Sequence, residues 1–191
     1  MSSAATPASA PVRVLGDVIP GERVRDVLLT VGYAAAIGVS AQIAIPVQPV
    51  PITGQTFAVL LGAIVLGLGR AAVGGGLYLG LGLAGVPWFA PATGGASVGY
   101  IVGFVAAAAV VGLIADRGYA RSPGSVALTM VVGNLVIYAF GVPVLAWVLS
   151  MNATQALAAG VVPFLIGDAA KIVLATALVP VAWRLVRRDE G

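Results

Sequence analysis

Cysteine and histidine are both absent from the 191 residues, and charged side chains make up only 9% of them. The first absence removes disulfides, thiol catalysis, histidine metal sites and Ser-His triads. The scarcity of charge removes the solvated surface of a soluble domain. With 60% apolar residues and a mean hydropathy of +1.05, the chain reads as an integral membrane protein. At roughly 20 residues per span plus short connections there is room for about six helices, and for no separate catalytic or nucleotide-binding domain. The pI of 9.7 is not a sign of nucleic acid, because the net charge is only +3 and the arginines flank apolar runs. Orientation in the membrane accounts for them. The first 26 residues lack the apolar core of a signal peptide and read as an uncleaved N-terminal tail.

Lysine occurs once, as Lys171. It lies in Ile166-Gly167-Asp168-Ala169-Ala170-Lys171-Ile172, inside an apolar run over about 161–186 that is long enough to cross a bilayer. Apart from Arg184 near the C-terminal end of that run, Asp168 and Lys171 are the only charged residues in any apolar segment. A charge at membrane depth is costly, so it faces a partner or a polar cavity. At i and i+3 the two side chains share one helix face and can converge on one object. A structural ion pair locking the bundle is the plainer alternative.

In chain order, span 1 is expected over about 27–45, with small residues at Gly32, Ala36, Ser40 and Ala44 and with Ala34 and Gly38 beside them. Such a stripe serves either packing within the bundle or an intermolecular surface. Pro46, Pro49 and Pro51 forbid a continuous helix and predict a semi-rigid extended loop over 46–56, carrying Gln48, Thr53, Gln55 and Thr56. Spans 2 and 3, over about 57–68 and 71–86, look short and are joined by a tight charged turn at Gly69-Arg70. A second uncharged loop, 87–96, holds Trp88 and Phe89, which either anchor the interface or cover an apolar ligand. Span 4 (about 97–115) precedes span 5 (about 126–149), where Gly141-Val142-Pro143 predicts a break that frees a carbonyl. A third uncharged loop, 150–160, carries Asn152, Thr154 and Gln155 before span 6.

Against six spans, Arg13, Arg23, Arg25, Arg70, Arg117, Arg121, Arg184, Arg187 and Arg188 all fall on one side. The positive-inside rule then puts both termini in the cytoplasm. Span 6 enters from outside near Val161, which places Asp168 roughly 10 Å below that end. The three uncharged loops sit above it. A polar pair at the floor of an outward pocket, with no charged route inward, points to capture of a small solute.

Four motifs occur in order at the loop positions of this layout: Val50-Pro51-Ile52-Thr53-Gly54-Gln55-Thr56, Gly85-Val86-Pro87-Trp88-Phe89, the run Thr93-Gly94-Gly95-Ala96-Ser97-Val98-Gly99-Tyr100-Ile101-Val102-Gly103-Phe104, and Gly167-Asp168-Ala169-Ala170-Lys171. Each is short, but together they resemble the BioY family, the biotin-binding S components of energy-coupling factor transporters. The resemblance covers roughly 34–177; Gly54 departs from the bulky apolar residue expected before Gln-Thr. It implies an all-α membrane protein with a six-helix S-component-like bundle, multi-pass in the bacterial plasma membrane, with no cofactor and no enzymatic activity. The layout becomes a tail over 1–26, a substrate-binding membrane domain over 27–186 and a tail over 187–191. The implied partners are biotin, a transmembrane coupling subunit and a pair of cytoplasmic ATPases, although some members are reported to transport biotin alone. The family's docking surface, typically Ala-x-x-x-Ala, would correspond to Gly32, Ala36, Ser40 and Ala44.

Biotin's chemistry suits the charged pair. Its ureido group offers two N–H donors beside a strongly accepting carbonyl, so Asp168 can accept from an N–H while Lys171 donates to the ureido oxygen or to the valerate carboxylate. The valerate could instead rest near Thr93, Gly94 and Gly95 at the start of span 4. The thiophane ring would meet Trp88, Phe89, Tyr100 or Tyr138. For Thr53, Gln55, Tyr100 and Tyr138, interhelical hydrogen bonding competes with ligand contact, and Asn134 reads as packing glue. Two other classes remain: another vitamin, such as thiamine or riboflavin, on the same scaffold, and a small channel or membrane-embedded enzyme. A channel would repeat polar residues across several spans, and an enzyme would need a nucleophile or metal cluster.

Overall fold

A computed structural model describes residues 14–18, 22–90 and 94–189. The apolar runs form α1 (Glu22–Ala41), α2 (Gln55–Leu83), α3 (Val98–Asp116), α4 (Pro123–Val148), α5 (Ala153–Gly160) and α6 (Leu165–Asp189). Two short strands, β1 (Ala44–Ile45) and β2 (Ile52–Thr53), pair antiparallel between α1 and α2. Five stretches are long and apolar enough to cross a membrane: Arg23–Ala41, Gln55–Leu83, Gly95–Asp116, Pro123–Val148 and Ala153–Leu185.

One of the five is doubled back on itself. At Gly67 the backbone leaves the helix with φ 78° and ψ 177°, a region open essentially to glycine. In a straight helix Gln55 and Tyr78 would stand about 35 Å apart, yet the Gln55 amide donates to the Tyr78 hydroxyl at 2.7 Å. The short spans expected over 57–68 and 71–86 are the two arms of this hairpin, and the reversal falls at Gly67, not at Gly69-Arg70. The reversal here uses the positive φ of Gly67, while Arg70 is drawn into ion pairs with Asp17 and Asp26.

Tyr33 of α1 closes the hairpin. Its buried ring lies where a Cβ would stand at Gly62 on one arm and at Gly74 on the other, and its hydroxyl donates to the Val59 carbonyl at 2.8 Å. Gly62→Ala is therefore expected to destabilise the protein by about 1–3 kcal/mol through overpacking, read as a lower melting temperature in detergent. Gly76→Ala, where a Cβ would meet nothing within 4 Å, is the control and should be neutral or mildly stabilising.

The α2 reversal is tied down at its own end of the bundle. Arg70 reaches Asp17 at 2.8 Å and Asp26 at 3.0 Å, joining the turn Leu15–Val18 and the start of α1 to the bend. Asp116, at the end of α3, accepts from the Leu68 N–H at 3.1 Å. Arg121 lies 4.3 Å over the Trp183 ring of α6, a cation–π contact. Close packing of α3 on α4 relies on glycine: a Cβ at Gly99 would stand 2.6 Å from the Phe140 carbonyl oxygen, and one at Gly103 2.9 Å from that of Ile137.

Other expectations are corrected. The first helix begins at Glu22 and ends at Ala41, so Ala44 lies in β1 and outside the stripe. Gly32 and Ala36 face outward and Ser40 is half-buried, whereas Ala34 and Gly38 are buried. The loop over 46–56 is a β-hairpin with Ala44 opposite Thr53 and Ile45 opposite Ile52; its prolines sit in the connection, where no ladder donor is needed. The fourth helix is a single element with Pro143 inside it, so the expected disturbance there does not divide the span. The third uncharged loop contains α5, capped by Asn152, whose side chain accepts from the Gln155 N–H at 3.0 Å while Gln155 returns the bond at 3.0 Å. That Asn-x-x-Gln pattern is a capping box. Arg13 and the side chains of Arg187 and Arg188 lie outside the described residues.

Candidate functional site

A cavity of about 40 Å³ lies where β2 and the start of α2 meet α3, α4 and α6. Its apolar side is built from Val50, Pro51, Ala90, Ile101, Phe104, Ile137 and Phe164. Its polar side is built from Thr53, Gln55, Thr56, Ser97, Tyr100, Tyr138, Asp168 and Lys171.

Each polar group is delivered by a local feature of the chain. Because α6 begins at Leu165, Asp168 falls in its first turn, nearer the helix start than the 10 Å inferred from a span beginning at Val161. There the helix dipole favours a carboxylate. One turn on, Lys171 comes back beside it, with Nζ 3.6 Å from Asp168 Oδ1. Lys171 also donates to the Thr53 carbonyl at 2.9 Å and to the Thr56 hydroxyl at 2.6 Å, so it clamps α6 to β2 and to the first turn of α2. The Thr53 hydroxyl accepts from the Gln55 backbone N–H at 3.2 Å and donates to Gln55 Oε1 at 3.1 Å. Tyr138 of α4 donates its hydroxyl to Asp168 Oδ2. Tyr100 of α3 is committed to the Gly160 carbonyl at 2.8 Å and presents its ring to Phe164, 6.0 Å between centroids.

Two atoms of this wall lack a hydrogen bond. Asp168 Oδ1 and Ser97 Oγ are both buried without a donor or acceptor partner among the described residues. An unmade bond on a buried polar atom costs about 1–3 kcal/mol, so the cavity holds unspent capacity for one donor at Asp168 and for either kind of group at Ser97.

Of the residues singled out from sequence, Thr53, Gln55, Tyr100, Tyr138, Asp168 and Lys171 are brought together around this cavity. Trp88 and Phe89 do not line it; they pack on Tyr78, at 5.3 and 5.5 Å between ring centroids. Gly94 and Gly95 are exposed and outside its wall, and Thr93 lies outside the described residues. Ile137 and Phe164 escape sequence reasoning, and Ser97, Ile101 and Phe104 enter it only as members of the third motif, not as site residues. Ser97 had a signal, a lone hydroxyl at the mouth of an apolar helix, but apolar lining residues look the same as core.

Comparison with known proteins extends this geometry. The BioY family model matches residues 8–188. The chain is 39% identical over 149 residues to "Biotin transporter BioY" of Thermotoga maritima, covering 75% of this chain and 86% of that protein. It is 32% identical over 170 residues to "Biotin transporter BioY" of Rhizobium etli, covering 81% and 90%. A crystal structure described as the S-component for biotin from an ECF-type ABC transporter shares the fold with a TM-score of 0.75 at 22% identity, over 89% of this chain and 94% of that one. With a family model spanning nearly all of its length and a relative close to 40% identical, the chain belongs to the BioY family.

Proposed function

We propose that this chain is the membrane S component that captures biotin from the external side and passes it inward with an ATP-driven energising module. That module would consist of a transmembrane coupling subunit and a pair of cytoplasmic ATPases. The chain itself is a transporter subunit and not an enzyme. The reading draws its substrate from the relatives named above, and one observation in the molecule carries it: the buried Asp168 Oδ1, ion-paired with Lys171 but accepting no hydrogen bond among the described residues, on the polar side of a cavity whose other side is apolar. A ureido N–H would supply the missing donor, and the apolar wall suits the thiophane ring.

In this reading the doubled α2 makes two crossings, for six in all, within a bacterial plasma membrane. The contacts of Arg70 with Asp17 and Asp26, and of Arg121 with Trp183, support one common arginine-rich end. The positive-inside rule assigns that end, with both termini, to the cytoplasm. The outward-facing Gly32 and Ala36 of α1 are the proposed contact with the coupling subunit.

Calorimetry of the purified chain in detergent tests the substrate. Wild type should bind biotin, and Asp168→Asn should weaken it at least tenfold, because the charged acceptor is lost while the bond from Tyr138 can persist. A well-folded wild type that binds no biotin sinks the assignment.

A further inference from the structure

Tyr78 sits on the second arm of α2, fully buried and outside the cavity wall. Its hydroxyl nevertheless accepts from the Gln55 amide at 2.7 Å. From there a chain of bonds runs into the site: the other end of the amide accepts from the Thr53 hydroxyl at 3.1 Å, and the Thr53 carbonyl accepts from Lys171 at 2.9 Å. We infer that Tyr78 is a positioning residue, which fixes the amide plane of Gln55 and, through it, the Thr53 end of the cavity's polar wall.

Tyr78 is itself held firmly enough for this role. The Trp88 indole N–H donates to its backbone carbonyl at 3.0 Å, and the Trp88 and Phe89 rings flank it. Trp88 is in turn seated against Gly38 of α1, where a Cβ would stand 3.0 Å from the indole. Packing alone would be met by phenylalanine. A buried hydroxyl is costly unless bonded, and Gln55 is the partner that this one has among the described residues. Trp88 and Phe89 thus bear on the site at one remove, by holding the ring that orients Gln55.

The inference rests on reading the polar wall as the biotin site, so its test has one arm with ligand and one without. Tyr78→Phe keeps the ring and its stack and removes only the hydroxyl. In protein labelled with ¹⁵N-glutamine, the side-chain NH₂ pair of Gln55, assigned by its loss in Gln55→Ala, should shift and exchange with solvent at least tenfold faster in Tyr78→Phe. The signals of Gln42, Gln48 and Gln155 should stay in place. An unchanged Gln55 signal overturns the inference, whether or not biotin binds. With biotin, Tyr78→Phe should weaken affinity roughly three- to tenfold and have no further effect when Gln55 is already alanine. The same loss in the Gln55→Ala background would show that Tyr78 acts by another route and also overturns it. Absence of biotin binding by wild type would sink the substrate assignment alone, since the amide signal still decides the role of Tyr78.

Discussion

Lys171→Ala is expected to weaken biotin binding by roughly ten- to 100-fold and to lower thermal stability at the same time. The ammonium bonds to Thr53 and Thr56 and faces Asp168, with side-chain exposures of 19% for Lys171 and 7% for Asp168. Removing one member of a buried pair costs about 3–5 kcal/mol of stability, because the other charge is left uncompensated; losing a charged hydrogen bond to the ligand costs about 1.5–3 kcal/mol of binding, roughly ten- to 100-fold in affinity. A double variant separates the lock from the ligand group. Asp168→Asn with Lys171→Met removes both charges, and replacing a buried pair by neutral groups is often neutral or stabilising. Its melting temperature should return most of the way to wild type, while biotin binding, measured by calorimetry, should stay lost. Recovery of binding along with stability would make the pair a structural ion pair and nothing more.

The second large effect is expected at Gly67. Alanine there would have to hold φ near 78° with ψ near 177°, and its Cβ would collide with the Asp116 carboxylate that accepts from the Leu68 N–H. Backbone strain of about 1–3 kcal/mol then adds to the loss of a charge-assisted bond, worth about 1.5–3 kcal/mol. Gly67→Ala should therefore sharply reduce the yield of folded, monodisperse protein and depress its melting temperature. Gly69→Ala, where a Cβ meets nothing within 4 Å, should behave like wild type. Equal behaviour of the two variants would show that the bend does not depend on the conformation of Gly67.

Much of this was legible in the sequence, for identifiable reasons. Apolar runs of span length are conspicuous, and a lone lysine three residues after an aspartate in such a run stands out because membrane depth penalises charge. The place where α2 reverses was not legible: Gly62, Gly67 and Gly69 are equivalent on paper, and only the packing of Tyr33 and Asp116 separates them. Two strands of two residues each leave no periodicity to detect, so three prolines read as loop. The capping box of α5 was visible but hidden among uncharged polar residues. At the site, Trp88 and Phe89 drew attention as aromatics in a loop, whereas Tyr78, inside a glycine-rich helical arm, did not. Sequence shows residue type; which side of a ring faces the cavity is a matter of packing.

The doubled helix also bears on how the chain enters the bilayer. Its arms, Gln55–Leu66 and Leu68–Leu83, are about 18 and 24 Å long at 1.5 Å per residue, each short of the roughly 30 Å hydrocarbon layer. Neither is a comfortable stop-transfer segment alone, and the backbone of the first arm would meet lipid without the second beside it. With α2 making the two crossings proposed above, the arms would partition as a pair, with Arg70 and its two aspartates at the aqueous boundary. In that arrangement the shorter arm would be met by local thinning of the bilayer or by snorkelling of flanking residues, so membrane thickness, and not only sequence, would bear on how readily the hairpin is accepted.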